Sequence, residues 1–298
     1  MVTYPNVKVN LGLNVLRKRP DGFHDLETLF VPYFGISDRL EIIAGDDFST
    51  ISAELFSKYG TAAGAAVEAE VPMLAQGMSE DGKLMITIAR QEGVDWNPLK
   101  DLTARAYQLL AADFQLPPVK IFLDKRSPVG AGLGGGSADA AFALRMLSEM
   151  FDLKLSDEAL AAYAAQLGSD CAFFVYNRPM IGEGRGEVLT PYPLTGIDFG
   201  ADVEGAVYEL QVVIPEGVAV STADAYRGIV PAVPEHPLRE VLARPVEEWS
   251  EALANDFEQT VFQKYPELAK MKASLYDTGA VYASMSGSGS AFFALYRK

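Results

Sequence analysis

The segment Pro128–Ala138 has the residue types of a phosphate-binding loop. Five of its eleven residues are glycines, and a helical pattern of apolar residues begins at Ser137. Glycine accepts positive φ angles and lets another group approach the backbone closely. A helix N-terminus adds free N–H groups and partial positive charge, both of which favour a phosphate. We therefore predict that this segment, called the glycine loop below, binds a phosphate group.

A dinucleotide-binding turn is one alternative for the glycine loop. Gly130, Gly132 and Gly135 fit the G-x-G-x-x-G pattern of that turn. In a Rossmann fold, however, the turn follows its strand directly. Here residues 124–128 separate the glycines from the apolar strand Val119–Leu123. This context disfavours a nicotinamide-dependent dehydrogenase.

A Walker A loop and a flexible linker are two further alternatives. A Walker A loop needs a lysine immediately before the serine, and Gly136 occupies the position before Ser137. A flexible linker does not usually continue straight into an amphipathic helix. The phosphate-binding interpretation is therefore favoured over both.

A second glycine-rich segment, Met285–Ser290, precedes an apolar strand near the C-terminus. By itself this segment, called the C-terminal glycine motif below, is typical of a tight turn before a strand. It gains functional weight as a partner of the glycine loop, because two such loops can close on a polyphosphate from opposite sides. Both interpretations stay open from the sequence.

Lys8 and Asn10 share one face of an alternating segment near the N-terminus, and apolar residues occupy the other face. One interpretation is a solvated strand face, which the alternation alone favours. In the other, the lysine is directed at a phosphate as a point charge. The sequence does not decide between these two.

Asp170 follows a predicted helix and precedes the apolar run that begins at Cys171. It is either a helix cap or a partly buried base that accepts a hydroxyl proton. Cys171 itself is predicted to be a small buried hydrophobic residue. Phe23 and His24 lie in a turn, where a flat ring beside a hydrogen-bonding ring could hold a nucleobase, although a lone histidine is more often structural.

The composition limits the broad class of the protein. The chain has 298 residues, a single cysteine and a formal net charge of −15. The charge argues against nucleic acid or an anionic membrane as the main partner, and one cysteine excludes an internal disulfide. No long apolar stretch or signal peptide is evident, so we expect a cytoplasmic protein.

The periodicity predicts an α+β fold rather than a doubly wound sheet, because helices and strands do not alternate regularly. Residues 46–83 lack a clear periodicity and are interpreted as an insertion or mobile excursion. The predicted strands are Arg39–Ala44, Leu84–Ala89, Val119–Leu123, Tyr208–Ile214 and Ala291–Tyr296. The predicted helices are Asp101–Phe114, Ser137–Phe151, one from an N-cap at Ser156 to a C′ residue at Gly168, Glu247–Phe257 and Pro266–Tyr276.

Taken together, these motifs resemble the GHMP kinases, and the resemblance covers nearly the whole chain outside residues 46–83. The glycine loop matches that family's second motif, and Ser286–Gly289 matches its third. Other segments narrow the resemblance to the members that act on a cytidyl-diphosphate-linked methylerythritol. These segments are Lys8–Val15, Arg19–Phe30, Asp124–Arg126, Glu183–Glu187 and Asn255–Glu258.

The resemblance implies a two-lobed α+β GHMP kinase fold, with lobes at residues 1–175 and 176–298. The first lobe would resemble a ribosomal-protein domain and the second would be ferredoxin-like. The implied reaction is transfer of the ATP γ-phosphoryl group to the 2-hydroxyl of the cytidyl-linked methylerythritol, a step of non-mevalonate isoprenoid biosynthesis. The implied assembly is a monomer or homodimer.

The resemblance also implies roles for individual residues. Lys8 and Asp170 would be catalytic, with Asp170 accepting the hydroxyl proton, and Mg²⁺ would bridge the phosphates and use Ser137. The residues expected to hold ATP are Lys125, Pro128, Val129, Gly130, Ala131, Gly132, Leu133, Gly134, Gly135, Gly136, Ser137 and Ala138. Those expected to contact the cytidyl substrate are Asn10, Phe23, His24, Thr222 and Tyr226, with Phe23 and Tyr226 sandwiching the cytosine and His24 reading its edge.

Two alternatives remain at this stage. One is another small-alcohol kinase of the same family, acting on homoserine or mevalonate. The Asp21–His24 segment disfavours it, because a cytidyl-binding aromatic residue has no purpose there. The other is a catalytically silent ligand-binding protein of the same fold, which the presence of Lys8, Asp170 and both glycine-rich segments disfavours.

Overall fold

The computed structural model describes residues 1–45, 47–60 and 71–298. Its strands are β1 (Val2–Thr3), β2 (Asn6–Lys18), β3 (His24–Ser37), β4 (Arg39–Ala44), β5 (Leu74–Met78), β6 (Leu84–Arg90), β7 (Val119–Lys125), β8 (Met180–Glu183), β9 (Val188–Pro191), β10 (Ile197–Asp198), β11 (Tyr208–Val213), β12 (Tyr282–Met285) and β13 (Phe292–Arg297). Its α-helices are α1 (Ser52–Tyr59), α2 (Leu102–Asp113), α3 (Gly135–Met150), α4 (Asp157–Leu167), α5 (Cys171–Tyr176), α6 (Thr222–Tyr226), α7 (Leu238–Leu242), α8 (Trp249–Ala252), α9 (Phe257–Lys264) and α10 (Pro266–Asp277), with 3₁₀ helices at Pro98–Lys100 and Val246–Glu248.

The chain forms two compact units. Unit 1 comprises residues 1–6, 36–127 and 135–176, and unit 2 comprises residues 7–35, 128–134 and 177–298. These units differ from the predicted lobes, because β2, most of β3 and the first part of the glycine loop associate with the C-terminal part of the chain. The division of this chain into lobes at residues 1–175 and 176–298 therefore stays a prediction.

Unit 1 is built on a five-stranded sheet in the order β1-β4-β7-β6-β5. β4 and β7 are antiparallel, whereas β6 and β7 are parallel, so the sheet is mixed. Ile121 of β7 pairs with Ile42 on one side and Ile86 on the other, and all three side chains are fully buried. Such β-branched residues favour a pleated, buried surface. Helices α2, α3, α4 and α5 pack on one another, and α3 also contacts β4.

Capping residues mark the starts of two helices of unit 1. Asp101 accepts a hydrogen bond from the Thr103 amide at the start of α2, and Ser156 accepts one from the Ala159 amide at the start of α4. Both satisfy an amide that has no partner inside its helix. Gly168 follows α4 as predicted, but its φ of −178° is extended rather than left-handed. It therefore does not form the glycine C-cap that the sequence predicted.

Part of the predicted excursion at residues 46–83 is ordinary secondary structure. α1 buries Leu55 and Tyr59, which pack with residues of β4, β6 and β7 in one apolar cluster. β5 pairs antiparallel with β6 and extends the sheet. A mobile excursion is therefore wrong for these elements, because apolar residues spaced by four build an α1 face that packs onto the sheet, whereas an insertion stays a prediction. Residues 46 and 61–70, on which the same interpretation falls, lie outside the described residues.

Unit 2 contains two four-stranded sheets, in the orders β2-β3-β8-β9 and β10-β11-β13-β12. β13 pairs antiparallel with both β11 and β12. One apolar cluster joins the second sheet to α9 and α10 and also includes Leu13 and Val15 of β2. The β2 strand is therefore anchored in the core of unit 2.

The helix predicted at Glu247–Phe257 is interrupted. The chain forms a short 3₁₀ helix and α8, and it is extended at Leu253. Ala254 accepts a hydrogen bond from the Leu13 amide, and the Asp256 amide donates to the Leu13 carbonyl. These tertiary hydrogen bonds replace those of a continuing helix, which explains why the helical pattern failed here.

The other predicted elements are confirmed, with small shifts at their ends. The strand predicted at Val119–Leu123 continues to Lys125, and the helix predicted from Ser137 begins at Gly135. Of the helices in the described ranges, none has the length and apolar character needed to cross a bilayer.

Candidate active site

The glycine loop depends on glycine at alternate positions. Gly130, Gly132 and Gly134 have φ angles of +74°, +79° and +72°, which are unfavourable for residues with a Cβ. Between them, Ala131 and Leu133 are buried. Apolar side chains thus anchor the loop while the glycines turn its backbone.

The loop is shared between the two units. Pro128–Gly134 belongs to unit 2, and the helical part from Gly135 onward belongs to unit 1. Gly135, Gly136, Ser137 and Ala138 form the first turn of α3. The residues predicted to hold ATP are therefore divided between unit 2 (128–134) and unit 1 (125 and 135–138).

Lys8 and Asn10 of β2 are buried residues of unit 2, with 3% and 2% of their surface exposed. The solvated strand face expected from the alternation is therefore wrong. The Lys8 ammonium donates to Asn10 Oδ1 at 2.5 Å and to the Gly132 carbonyl at 3.0 Å. These two contacts orient the ammonium and join β2 to the glycine loop.

The amide of Asn10 has a structural task within unit 2. Its Oδ1 accepts from Lys8, and its Nδ2 donates to Thr28 Oγ1 at 3.1 Å. Thr28 in turn donates to the Gly12 carbonyl. A role of Asn10 in contacting the cytidyl substrate was expected, but its two amide ends already hold Lys8 and Thr28 in place.

The C-terminal glycine motif packs directly on the glycine loop inside unit 2. Ser286 Oγ donates to the Gly132 carbonyl at 3.1 Å, and a Cβ added to Gly132 would overlap the Ser286 carbonyl oxygen. The Ala291 amide donates to the Ala131 carbonyl at 3.1 Å. The interpretation that pairs the two glycine-rich segments agrees with this contact.

Asn255 and Glu258 hold the C-terminal glycine motif, and sequence reasoning assigned neither of them a role. Asn255 Nδ2 donates to the Met285 and Gly287 carbonyls at 2.7 and 2.9 Å. Glu258 Oε1 accepts from the Met285 amide at 2.8 Å. Their segment was noted for its family resemblance, but a side chain that supports a distant backbone leaves no local pattern in the sequence.

The residues predicted to bind the cytosine form two separate ring contacts in unit 2. The rings of His24 and Tyr226 stack with centroids 4.8 Å apart, and Tyr226 also meets Phe257 edge to face. Phe23 is 55% exposed, and the Arg185 guanidinium lies 5.1 Å from its ring centre. The predicted arrangement differs, since one face of Tyr226 is covered by His24 rather than turned toward Phe23.

Thr222, at the start of α6, contacts the C-terminal glycine motif. Thr222 Oγ1 lies 3.1 Å from Ser288 Oγ, so α6 is linked to the C-terminal glycine motif.

Burial, with a smaller contribution from Lys18, lowers the pKa of His24 below its usual value. A neutral imidazole has one donor and one acceptor nitrogen, which suits it to reading the edge of a base.

In unit 1, Lys125 lies at the end of β7 and is surrounded by oxygen atoms. Its ammonium donates to Asp38 Oδ2 at 2.5 Å, to Asp139 Oδ2 at 2.7 Å and to Ser127 Oγ at 3.0 Å. All four residues, called the Lys125 cluster below, are at least nine-tenths buried. The cluster connects the junction of β3 and β4 with the end of β7 and with α3.

The charges of the Lys125 cluster are strongly coupled. Burial alone would raise the pKa of Asp38, but Lys125 and hydrogen bonds from Ser127 outweigh it, so this pKa lies below the usual value. Burial and the nearby Asp38 raise the pKa of Asp139 well above its usual value. Burial opposes the charge of Lys125, yet its two aspartates raise its pKa overall. The lysine is therefore firmly protonated.

Ser137, Asp170 and Cys171 belong to the helical part of unit 1. Asp170 is half-buried at the start of α5, where the Ser169 hydroxyl donates to its Oδ1 at 3.2 Å. Burial raises the pKa of Cys171 to about 12, and a hydrogen bond from Ser137 partly opposes this shift. Cys171 is a buried free thiol, as predicted. Lys8 and Asp170, the predicted catalytic pair, lie in different units.

Comparison with known proteins agrees with the motifs. The family model of the GHMP kinases N terminal domain matches residues 101–178, and that of GHMP kinases C terminal matches residues 238–298. A protein of Bacteroides fragilis named 4-diphosphocytidyl-2-C-methyl-D-erythritol kinase is 44% identical over 99% of this chain and 92% of its own length. A protein of Bacteroides thetaiotaomicron with the same name is 43% identical, with the same coverage.

The chain belongs to the 4-diphosphocytidyl-2-C-methyl-D-erythritol kinase family of GHMP kinases. A solved structure of 4-(cytidine 5'-diphospho)-2C-methyl-D-erythritol kinase is 30% identical, with a TM-score of 0.71 over 99% of this chain and 90% of that one. A homoserine kinase from Cytophaga hutchinsonii is 16% identical, with a TM-score of 0.61 over 99% and 86% of the two chains. The predicted α+β GHMP kinase fold is thereby confirmed, and the kinase is not a Rossmann dehydrogenase.

Proposed function

We propose that this kinase transfers the γ-phosphoryl group of ATP to the 2-hydroxyl of 4-diphosphocytidyl-2-C-methyl-D-erythritol, a step of non-mevalonate isoprenoid biosynthesis. The observation that supports this most directly is the junction of the two glycine-rich segments beside Lys8. Lys8 and Ser286 donate to the same Gly132 carbonyl, so a cation and two flexible-backbone segments converge at one point of unit 2. The similarity to the Bacteroides kinases supports the choice of alcohol.

The reaction forms one bond and breaks one bond. The substrate hydroxyl oxygen attacks the γ-phosphorus, and the bond from that phosphorus to the ADP oxygen breaks. The hydroxyl proton must leave, and ADP takes the electron pair of the broken bond. Enzymes accelerate such transfers mainly by positioning the reactants and by stabilising charge on the transferred group.

Lys8 and Asp170 would supply the two charges that the reaction needs. Lys8, oriented by Asn10 and Gly132, would stabilise negative charge on the transferred phosphoryl oxygens. Asp170, half-exposed at the start of α5, would accept the hydroxyl proton. The two groups thus have complementary tasks, one at the phosphoryl group and one at the attacking oxygen.

ATP would be bound chiefly by backbone N–H groups of the glycine loop and by the start of α3. Among the described residues, no group of three or more His, Cys, Asp or Glu side chains is placed to hold a metal ion. This fits a Mg²⁺ ion held largely by phosphate oxygens and water, with the Ser137 hydroxyl as a protein ligand. Such an ion would neutralise phosphate charge during the transfer.

The cytidyl group would be recognised by the aromatic residues of unit 2. Phe23 offers an exposed ring, and Tyr226 offers a ring face that His24 now covers. Cytosine would replace His24 on that face, and His24 would then read its edge by hydrogen bonding. Thr222, which is linked to Ser288, lies on the same helix as Tyr226 and would contact the same substrate.

The decisive experiment measures ADP release with ATP, Mg²⁺ and each of three alcohols: the cytidyl-linked methylerythritol, homoserine and mevalonate. We expect turnover with the cytidyl compound alone. Asp170→Asn should lose most of kcat and keep its nucleotide affinity, because the amide cannot accept the proton. Ser169→Ala is the matched control, since it removes the hydrogen bond to Asp170 but keeps the carboxylate.

Three results would contradict the proposal. Turnover with homoserine or mevalonate would overturn the assignment of Phe23, His24 and Tyr226 but keep the phosphate loop. Near-normal kcat in Asp170→Asn would exclude Asp170 as the base. Bound ATP with no turnover of any alcohol would favour a ligand-binding protein instead.

A further inference from the structure

The ammonium of Lys125 has no hydrogen-bonding capacity left for a nucleotide. A lysine ammonium has three N–H donors, and here they are directed at Asp38, Asp139 and Ser127. The side chain is 4% exposed, so its charge is compensated inside unit 1. A phosphate oxygen could bind this ammonium only by displacing one of these oxygens and entering the core. The expectation that Lys125 holds ATP therefore conflicts with its surroundings.

Asp38 accepts four hydrogen bonds, two from side chains of the Lys125 cluster and two from backbone amides. Its Oδ1 accepts from the Arg126 and Ser127 amides, both at 2.6 Å. Its Oδ2 accepts from Lys125 at 2.5 Å and from the Ser127 hydroxyl at 2.7 Å. Its Oδ1 thus fixes the backbone immediately before the glycine loop, while its Oδ2 holds the side chains of Lys125 and Ser127. Replacing Asp38 by asparagine would turn one of these acceptors into a donor that faces other donors.

The cluster also fixes the residue at which the loop becomes a helix. Gly135, the first residue of α3, packs so closely that an added Cβ would overlap Ser127 Oγ and lie 3.1 Å from Lys125 Nζ. Asp139, one helical turn further along α3, binds Lys125 through Oδ2. Residues 127 and 135, which flank residues 128–134 of the glycine loop, are therefore both held by the same buried group of charges.

We propose that Lys125 is a positioning residue, which holds the start of α3 and the backbone before the glycine loop through Asp38, Ser127 and Asp139, and that it does not contact the nucleotide. The phosphates are bound by the backbone that this cluster positions. The inference rests on the proposed function only in taking ATP as the nucleotide. It assigns Lys125 a positioning role inside an ion cluster, in place of the direct contact with ATP that the family resemblance implies.

The direction in which Asp38→Asn changes the affinity for ATP distinguishes a lysine that positions the loop from a lysine that binds phosphate. If Lys125 bound phosphate, weakening its competing carboxylate would leave ATP affinity unchanged or increase it. If the cluster positions the loop, Asp38→Asn and Lys125→Met both weaken ATP binding. We expect each to raise the Kd by roughly 10- to 100-fold, because each removes hydrogen bonds to a buried charge. The double variant should be little weaker than the weaker single variant.

The experiment is equilibrium binding of a fluorescent ATP analogue with Mg²⁺ and without any alcohol substrate. Arg145→Met is the matched control. It removes a cation from α3, but that cation binds the Asp157 carboxylate and the Val175 carbonyl rather than the Lys125 cluster. It should leave the Kd unchanged. Circular dichroism and the melting temperature establish that each variant is folded.

Ser127→Ala keeps the proposal testable if the charge variants do not fold. It removes a hydroxyl that contacts both Lys125 and Asp38 but changes no charge. We expect a rise in Kd of about threefold, in line with the loss of a neutral hydrogen bond. Hydrogen exchange at residues 135–140 should become faster in this variant, while KM for the cytidyl substrate stays constant.

The outcomes separate this proposal from the proposed function. Weaker ATP binding in Lys125→Met with unchanged or tighter binding in Asp38→Asn would overturn the positioning role. Unchanged hydrogen exchange at residues 135–140 in a folded Ser127→Ala variant would do the same. A wild-type protein that binds ATP but phosphorylates no alcohol would contradict the proposed function and leave this test intact.

Discussion

Lys8 and Lys125 are both buried lysines, one in unit 2 and the other in unit 1. Lys125 is bound by two carboxylates and a hydroxyl, so its charge is neutralised within unit 1. Lys8 donates to the Asn10 amide oxygen and to the Gly132 carbonyl, which orient its ammonium at the glycine loop. The same residue type therefore serves a structural task in one region and is suited to a chemical task in the other.

The difference follows from the cost of burying a charge. Removing an ammonium from water is expensive unless hydrogen bonds and opposite charge compensate it. Two aspartates supply that compensation to Lys125 in unit 1. In unit 2, the contacts of Lys8 with Asn10 and Gly132 instead direct its ammonium at the glycine loop. Burial by itself thus does not distinguish a catalytic lysine from a structural one.

The largest expected effect is that of Lys8→Met. Removing a cation from the transferred phosphoryl group should lower kcat by about 10²- to 10³-fold, with a change in ATP affinity of no more than a few-fold. Lys125→Met should instead weaken ATP affinity much more than it lowers kcat. Steady-state kinetics with varied ATP measures both. If the two variants lost kcat and affinity in the same proportion, the comparison between the two lysines would fail.

The next largest effect is on stability, and it distinguishes two glycines of the glycine loop, Gly132 and Gly130. Gly132→Ala combines a φ of +79° with overlap of the Ser286 carbonyl, whereas Gly130 has a φ of +74° and no atom within 4 Å of an added Cβ. We expect Gly132→Ala to lower the free energy of unfolding by about 2–4 kcal/mol and Gly130→Ala by about 1 kcal/mol. Urea titrations measure both. Equal losses would mean that the packing against Ser286 contributes little.

A smaller effect uses the single cysteine of the chain as a probe of unit 1. Because burial raises the pKa of Cys171 to about 12, its thiol stays protonated at pH 8 and reacts only when the structure opens locally. Lys125→Met should increase the rate of labelling by a disulfide reagent by on the order of tenfold. Lys8→Met, a change in unit 2, should leave the rate as in the wild type. A faster rate in both variants would show that the effect is not local.

The smallest effect concerns an exposed ion pair, which contrasts with the buried Lys125 cluster. Hydrogen bonds from Tyr208 and Arg297 lower the pKa of Glu247 to about 2. Its stabilising contribution is therefore complete above the ordinary pKa of about 4.5 and disappears as the pH falls toward 2. Glu247→Gln should lower the melting temperature at pH 7 by no more than about 2 °C, and the difference should vanish near pH 2. A larger, pH-independent loss would indicate a packing role instead.

Local patterns predicted most of the elements and several candidate site residues. Ser156 and Asp170 were predicted from short segments, although the role of Asp170 stays a proposal. The helix predicted at Glu247–Phe257 failed because hydrogen bonds from Leu13, more than 200 residues away, interrupt it. Long-range pairing of this kind leaves no signal in the local sequence.

The partners of the site residues were beyond sequence reasoning. Alternation placed Lys8 and Asn10 on one face of a strand, but it could not show that this face is buried. The resemblance assigned Lys125 to ATP, whereas the fold brings Asp38 and Asp139 to its ammonium. The ring contact between His24 and Tyr226 likewise joins residues that are 202 positions apart (226 minus 24).

The sequence by itself determined where this backbone can turn and which segments become helices and strands, because glycine conformations and apolar periodicity act over a few residues. It also determined the family, through several spaced motifs. Only the tertiary structure decided that two aspartates enclose Lys125 and that Asn10 and Gly132 orient Lys8. The physical reason is that the charge state and exposure of a side chain depend on groups which the fold brings together from distant parts of the chain.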